Sequence, residues 1–211
     1  MKKQNFSIAW GLLAAFVLWT AVVSLVDVQA IGPRGSSVGL AALNGFFHNL
    51  TGVHLSLYLI TDWLSLVPLG IVLGFGALGL VQWVKRKSIW KVDRSILVLG
   101  GFYLVVLTAF VFFEVYAVNY RPILIEGVLE ASYPSSTTLL VLTVMPTAIL
   151  QVSPRIKNPI LRRCIHWAII IFITLMVVGR LVSGVHWLTD IIGGTLLSAG
   201  LVTAYSALAE S

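Results

Sequence analysis

Six apolar runs separated by polar or basic stretches organise this chain. They are roughly Phe6 to Val26, His54 to Val84, Ile96 to Val118, Ser135 to Val152, Cys164 to Val182 and Trp187 to Leu208. Each is near or above the ~17–25 residues a membrane-spanning helix needs. The pattern predicts an all-α fold: a polytopic bundle of six transmembrane helices, forming a single integral membrane domain over residues 1–211. The second run is overlong and carries Asp62, which puts its start at the membrane interface. Between the first two runs, from about Asp27 to Gly52, IGPRGSS signals a turn. The following VGLAALNGFFHNL predicts a short amphipathic helix on the membrane surface. Gly70 and Gly74 have GxxxG spacing, which predicts close helix packing. Trp83, Trp90, Trp167 and Trp187 fall near run ends, where interfacial anchors belong.

Composition agrees with a membrane protein. Of 211 residues, 58% are hydrophobic and only 10% charged, against roughly a quarter charged in soluble domains. Lys2-Lys3 before an apolar run resembles a secretory signal, but the run is long enough to span and lacks a small-residue cleavage site, so it reads as a retained helix. The single Cys164 excludes an intramolecular disulfide. A sequence pI near 9.7 does not point to nucleic acid, because the basic residues cluster at the ends of apolar runs. Eleven of the fourteen Lys and Arg lie in one set of connections, and the opposite set holds only Arg34, Arg121 and Arg180. By the positive-inside rule both termini are cytoplasmic and those three arginines face outward.

Arg121 and Arg180 therefore stand apart, since charges within membrane segments are costly and usually functional. In GRLVSGVHWLTD, Arg180 ends the fifth run and Ser183-Gly184 turns the chain. His186 and Asp190 follow at i,i+4 spacing on one helix face. Asp190 is placed to accept from one ring nitrogen of His186 and leave the other free to attack. Upstream, Arg121-Pro122 precedes Tyr133-Pro134-Ser135-Ser136-Thr137 at the start of the fourth run. A helix opening there presents unpaired N–H groups, a seat for an anion. Two arginines, a histidine and a carboxylate make a phosphate site with a nucleophile in it. His48 and His54, near the surface loop, are candidates to approach it, and Asp62 to pair with one of its arginines. The chain has neither a GxxxxGK[ST] loop nor HExxH, so P-loop NTPase and zincin readings lack support.

These segments resemble the type 2 phosphatidic acid phosphatase superfamily, membrane lipid phosphatases related to vanadium haloperoxidases. That family carries Lys-x6-Arg-Pro, Pro-Ser-Gly-His and Ser-Arg-x5-His-x3-Asp. Here the third motif keeps Arg180, His186 and Asp190 at intact spacing, with Gly179 for serine. The first keeps Arg121-Pro122 but has Glu114 for lysine. The second reads Pro134-Ser135-Ser136-Thr137, with threonine for the histidine. The resemblance spans roughly residues 114–190. It implies His186 as nucleophile forming a phosphohistidine and Asp190 as its orienter. Arg121 and Arg180, with groups around Ser135, Ser136 and Thr137, would hold phosphate. No metal or other cofactor is implied.

The implied function is hydrolysis of a lipid phosphate or polyprenyl diphosphate at the outer face, from small size and short loops in a bacterial cell membrane. The partners are then substrate and membrane lipids, with no nucleic acid. The missing histidine is the family's general acid, whose help is typically worth ~10²–10⁴ in rate. Glu114 removes a cation that would stabilise transferring oxygens. A diphosphate has a leaving group that needs less protonation than an alkoxide. Two other readings remain: a non-catalytic lipid-phosphate binder or transport component, and a phosphotransferase to an acceptor other than water.

The charge asymmetry makes a topological prediction. In a Cys164→Ser background, single cysteines placed at Lys87 or Lys157 should resist a membrane-impermeant thiol reagent in intact cells, while one at Arg34 should react. Outside labelling at Lys87 or Lys157 would overturn the orientation.

Overall fold

The computed structural model describes residues 2–209. Met1, Glu210 and Ser211 of the expected 1–211 domain lie outside the described residues. The described chain forms eight α-helices: α1 Lys2–Leu25, α2 Ala41–Thr51, α3 Leu55–Leu64, α4 Leu66–Arg86, α5 Arg94–Val115, α6 Ser136–Val152, α7 Pro159–Val182 and α8 Leu188–Ala209. Six helical segments are long and apolar enough to cross a membrane, as expected, with α3 and α4 together making the second. The overlong second run is thus a broken helix. The break falls at Ser65, whose hydroxyl donates to the Asp62 carbonyl at 2.5 Å. The fifth span begins at Pro159, five residues before the expected Cys164. The Asn158 side chain accepts from the N–H groups of Ile160 and Leu161, and Pro159 takes the first helical position. Arg162 and Arg163 consequently lie in the first turns of α7 rather than in a connection. The surface helix is α2, and the IGPRGSS turn contains a single 3₁₀ turn at Pro33–Gly35.

The core forms where α1 packs along α8 and α5 and α6 close over them. Phe16 and Val23 of α1 meet Leu99, Phe102 and Val106 of α5, Leu139 of α6, and Leu197 and Tyr205 of α8. Helix α6 is the most enclosed span, yet it buries Thr143 and Thr147. Their hydroxyls donate to the Leu139 and Thr143 carbonyls one turn back, at 2.7 and 2.9 Å. Polar groups at membrane depth must be satisfied inside the protein, and these are.

Two expectations fail here. A Cβ at Gly70, Gly74 or Gly76 would meet nothing within 4 Å, so the GxxxG spacing packs no helix. Gly76, with Gly79, Gly100 and Gly101, instead lines an apolar groove between α4 and α5. Trp83, Trp90 and Trp167 are exposed as anchors should be, but Trp187 is buried. Its indole N–H donates to the Tyr120 carbonyl at 2.7 Å.

At the motif-bearing end, residues 116–135 fold back over the bundle through isolated bridges Tyr120↔Ala131 and Ile125↔Val128. Arg34 holds the tip, donating to the Gly127 carbonyl at 2.9 Å. Helix α3 is drawn against α7 at Gly179, where a Cβ would sit 2.7 Å from the Thr61 methyl. The glycine in place of the motif serine thus sets how closely α3 approaches.

Gly179→Ala should therefore cost about 1–3 kcal/mol through overpacking. Gly100→Ala, where a Cβ meets nothing within 4 Å, should be neutral or mildly stabilising. Thermal denaturation of the purified protein in lipid nanodiscs reads both, and equal midpoints would remove the close-approach role.

Candidate functional site

His186 is placed by the turn between α7 and α8. Gly184 adopts φ +69°, and any Cβ there would run into the Gly52 carbonyl. Only glycine makes that turn beside that loop without strain. His186 is buried, and its Nδ1 lies 3.2 Å from the Ser132 carbonyl and 3.6 Å from Asp190 Oδ2. Asp190, expected to accept from the ring, stands beside it on the same side as the Ser132 carbonyl. The Ser132 carbonyl is the hydrogen-bond acceptor, and the carboxylate stands just beyond hydrogen-bond length. Nδ1 therefore carries the proton, and Nε2 is the basic nitrogen. Nε2 is buried with no protein partner. Burial, reinforced by Arg121 and Arg180, lowers the His186 pKa to about 4, against the opposing pull of Asp190. The ring is neutral at physiological pH, as a nitrogen nucleophile must be.

Asp190 is fully buried, and its two oxygens have different partners. Oδ2 accepts from the Trp187 N–H at 2.9 Å, and Oδ1 from the Asn119 amide at 3.2 Å. Its main-chain carbonyl accepts from Ser135 N at 3.1 Å. One residue thus ties the segments around Arg121, Ser135 and His186 together. Asn119 is itself fully buried, donating also to Thr189 Oγ1 and accepting from Gly39 N.

The arginines converge beside the imidazole. Arg180 is 2% exposed, and its Nη2 donates to Asp62 Oδ1 at 2.9 Å and Thr137 Oγ1 at 2.5 Å. Arg121 Nε lies 2.9 Å from Glu130 Oε2, an ion pair whose angle is not that of a hydrogen bond. The Tyr58 ring faces both guanidinium groups, 5.0 Å from Arg180 Cζ and 5.8 Å from Arg121 Cζ. Arg180 Nε and Nη1 and Arg121 Nη1 are buried without a protein acceptor. Buried charged donors rarely stay unpaired, and an anion shared between them satisfies all three.

The remaining candidates divide. Ser135 is occupied structurally, its N–H on Asp190 and its hydroxyl accepting from Thr138 N at 3.4 Å. Ser136 and Thr137 begin α6, so their N–H groups have no preceding helical turn to pair with. Thr137 fastens Arg180. Asp62, which the sequence left between an interfacial residue and a partner, pairs with Arg180. Glu114 lines a cleft with Ser132, Tyr133, Pro134 and Ser136 and faces Arg121 and Glu130. His48 packs on Trp187, ring centroids 5.4 Å apart, and burial lowers its pKa. His54 turns its Nε2 to the Thr51 carbonyl at 2.9 Å, so it does not join the arginines. Sequence reasoning missed Tyr58, Glu130, Ser132 and Asn119. For Tyr58 a signal existed: it stands one turn before Asp62 on the same face of α3.

From Arg121, Arg180 and Thr137 the apolar groove, about 920 Å³, runs between α4, α5 and α6 past Phe75, Gly100 and Val92 to Trp83. It joins a cationic site to an apolar channel of spanning length, which is the shape of a lipid with an anionic head. No metal-ligand group of three His, Cys, Asp or Glu occurs among the described residues.

Arg121→Ala and Arg180→Ala should each weaken orthovanadate binding about 10–100-fold, the ~1.5–3 kcal/mol of a charged hydrogen bond. Lysine replacements should recover only part, lacking the guanidinium fork. Unchanged affinity in both alanine variants, read by calorimetry, would separate the two arginines.

The family model of the PAP2 superfamily matches residues 108–210. No curated protein matches the chain. Among solved structures, the fold is similar to that of a transmembrane PAP2 type phosphatidylglycerolphosphate phosphatase from Bacillus subtilis. The TM-score is 0.54 at 19% identity, covering 96% of each chain. This likeness is one of fold, and the sequence match covers the motif-bearing half of the chain. The chain is thus similar to the PAP2 superfamily in sequence over residues 108–210, and to a transmembrane PAP2 type phosphatase in fold over nearly its whole length.

Proposed function

We propose that the protein is a lipid phosphatase working through a phosphohistidine on His186. One observation carries this reading. A neutral imidazole with its Nδ1 anchored and its Nε2 buried and unpartnered stands beside two arginines whose N–H groups lack acceptors. A mere binder of phosphate has no use for an anchored nucleophile, so the geometry favours the enzyme over the binding or transport reading.

In this mechanism Arg121, Arg180 and the N–H groups of Ser136 and Thr137 hold the phosphoryl oxygens. His186 Nε2 forms the N–P bond as the P–O bond to the lipid breaks. The Ser132 carbonyl keeps the Nδ1 proton in place, and the Asp190 carboxylate stabilises the positive ring that results. Water then attacks phosphorus, the N–P bond breaks and phosphate leaves. The lipid chain lies in the groove between α4 and α5. The orientation proposed from the charge asymmetry puts this site at the outer face of a bacterial cell membrane, with both termini cytoplasmic.

His186→Ala should abolish phosphate release from lipid phosphates in nanodiscs and remove the acid-labile phosphoryl adduct. Asn119→Ala should lower kcat about 10²-fold, since a small misplacement of the orienting group costs that much, with vanadate affinity unchanged. Full phosphate release by His186→Ala would end the phosphatase reading as written.

A further inference from the structure

Glu114 stands in the last turn of α5, among apolar side chains exposed on that membrane-spanning helix: Phe112 is 51% exposed and Val115 69%. An ionisable group in such a place is costly and is usually there for function. Its carboxyl shares a cleft with Ser132 and Ser136. The cleft holds about 10 Å³, room for one water. Ser132 is 3% exposed, and its Oγ has no protein partner. A carboxyl and an unpaired buried hydroxyl thus line one water-sized space.

That space adjoins the lipid groove, since Phe110, Ser136 and Leu139 line both. In the proposed mechanism the phosphoryl group rests on the Ser136 and Thr137 N–H groups, and the lipid chain lies in the groove. The bond that breaks therefore sits at Ser136, where cleft and groove meet. Other polar side chains at that junction are committed. Thr137 Oγ1 accepts from Arg180, and Asp62 carries the negative charge of an ion pair with Arg180. Glu114 faces both members of the pair formed by Arg121 and Glu130. Once phosphate binds, three acidic groups crowd one arginine, and a cluster of that kind retains a proton. Glu130 already holds the arginine at 2.9 Å, which leaves the proton with Glu114.

We propose that Glu114 is the general acid of this site, passing its proton to the departing lipid oxygen through one water held in the cleft with Ser132 Oγ. The proposal rests on the phosphatase reading of the site. As His186 Nε2 forms the N–P bond and the P–O bond breaks, the water gives a proton to the leaving oxygen and takes one from Glu114. The lipid departs as an alcohol, Glu114 becomes a carboxylate and the phosphorylated ring is positive. A second water then takes the alcohol's place. Glu114 removes one of its protons along the same path, its oxygen bonds to phosphorus and the N–P bond breaks. Hydrogen phosphate leaves, His186 is neutral and Glu114 is protonated again. One carboxyl thus serves as acid in the first step and base in the second.

The test uses the full chain in lipid nanodiscs and two probes with the same tail. One is dodecyl phosphate, whose alkoxide needs a proton. The other is a dodecyl-substituted nitrophenyl phosphate, whose phenolate leaves without one. Glu114→Gln should lower kcat/KM for the alkyl ester about 10²-fold or more, and should change kcat/KM for the aryl ester by less than about threefold. With the aryl ester it should also give a burst of nitrophenolate and accumulate acid-labile phosphohistidine, because the base of the second step is gone. Glu114→Asp should recover part of the alkyl-ester rate. Ser132→Ala keeps the carbonyl that anchors His186 and should lower the alkyl-ester rate about tenfold, the scale of one hydrogen bond. Equal losses on both esters in Glu114→Gln would mean a structural or binding role and would overturn the proposal. So would Glu114→Lys turning over the alkyl ester faster than the wild type, since the position would then lack positive charge rather than hold an acid. If His186→Ala abolishes turnover of both esters while Glu114→Gln alters neither, the phosphatase reading stands and this proposal falls. No phosphate release from either ester by the wild type would remove both.

Discussion

Two guanidinium groups are held out of water at one end of a membrane bundle, and the rest of the site answers to that constraint. Moving an ion into a low-dielectric interior costs several kcal/mol even after relaxation. Arg121 and Arg180 offset it with a carboxylate each, a shared aromatic face at Tyr58, and the Thr137 hydroxyl. None of these takes up all the donors. The N–H groups left over point to an anion as the final partner, and their closeness helps keep His186 uncharged.

Three stretches of chain far apart in sequence meet at Asp190. Its carboxylate is held by Asn119 and the Trp187 N–H, and its carbonyl by Ser135 N. The site therefore depends on one buried residue that makes several neutral hydrogen bonds and sits 3.6 Å from the ring it serves. That suits a positioning role. The carboxylate settles the imidazole's field and its neighbours' backbone, while the Ser132 carbonyl fixes the tautomer.

The motif departures acquire physical meaning in this frame. Gly179 allows α3 to lie close to α7, which delivers Tyr58 and Asp62 to Arg180. Thr137 gives up proton donation and becomes an anchor for Arg180. Glu114 turns a cationic wall into part of an acidic rim. Two of these changes meet at Arg180, where the closer α3 brings the Asp62 carboxylate and Thr137 supplies its hydroxyl.

The sequence by itself determined the six spans, the α2 surface helix and the residues with chemistry in them, because hydrophobic length and costly intramembrane charge are local properties. Arg121, Arg180, His186 and Asp190 were legible for that reason and for their spacing. Tertiary structure decided what each does. Whether Asp190 or a carbonyl holds the ring, whether Ser135 binds a ligand or a neighbour, and whether Gly70 and Gly74 pack a helix depend on groups far away in the chain. Glu130, Ser132 and Asn119 carry no periodicity or charge pattern that marks them, and Tyr58 is marked only by its place one turn before Asp62. Trp187 at a run end reads as an anchor, and only the fold shows it buried under Tyr120. Burial and pairing are properties of the packed chain, so they appear only once the helices are in place.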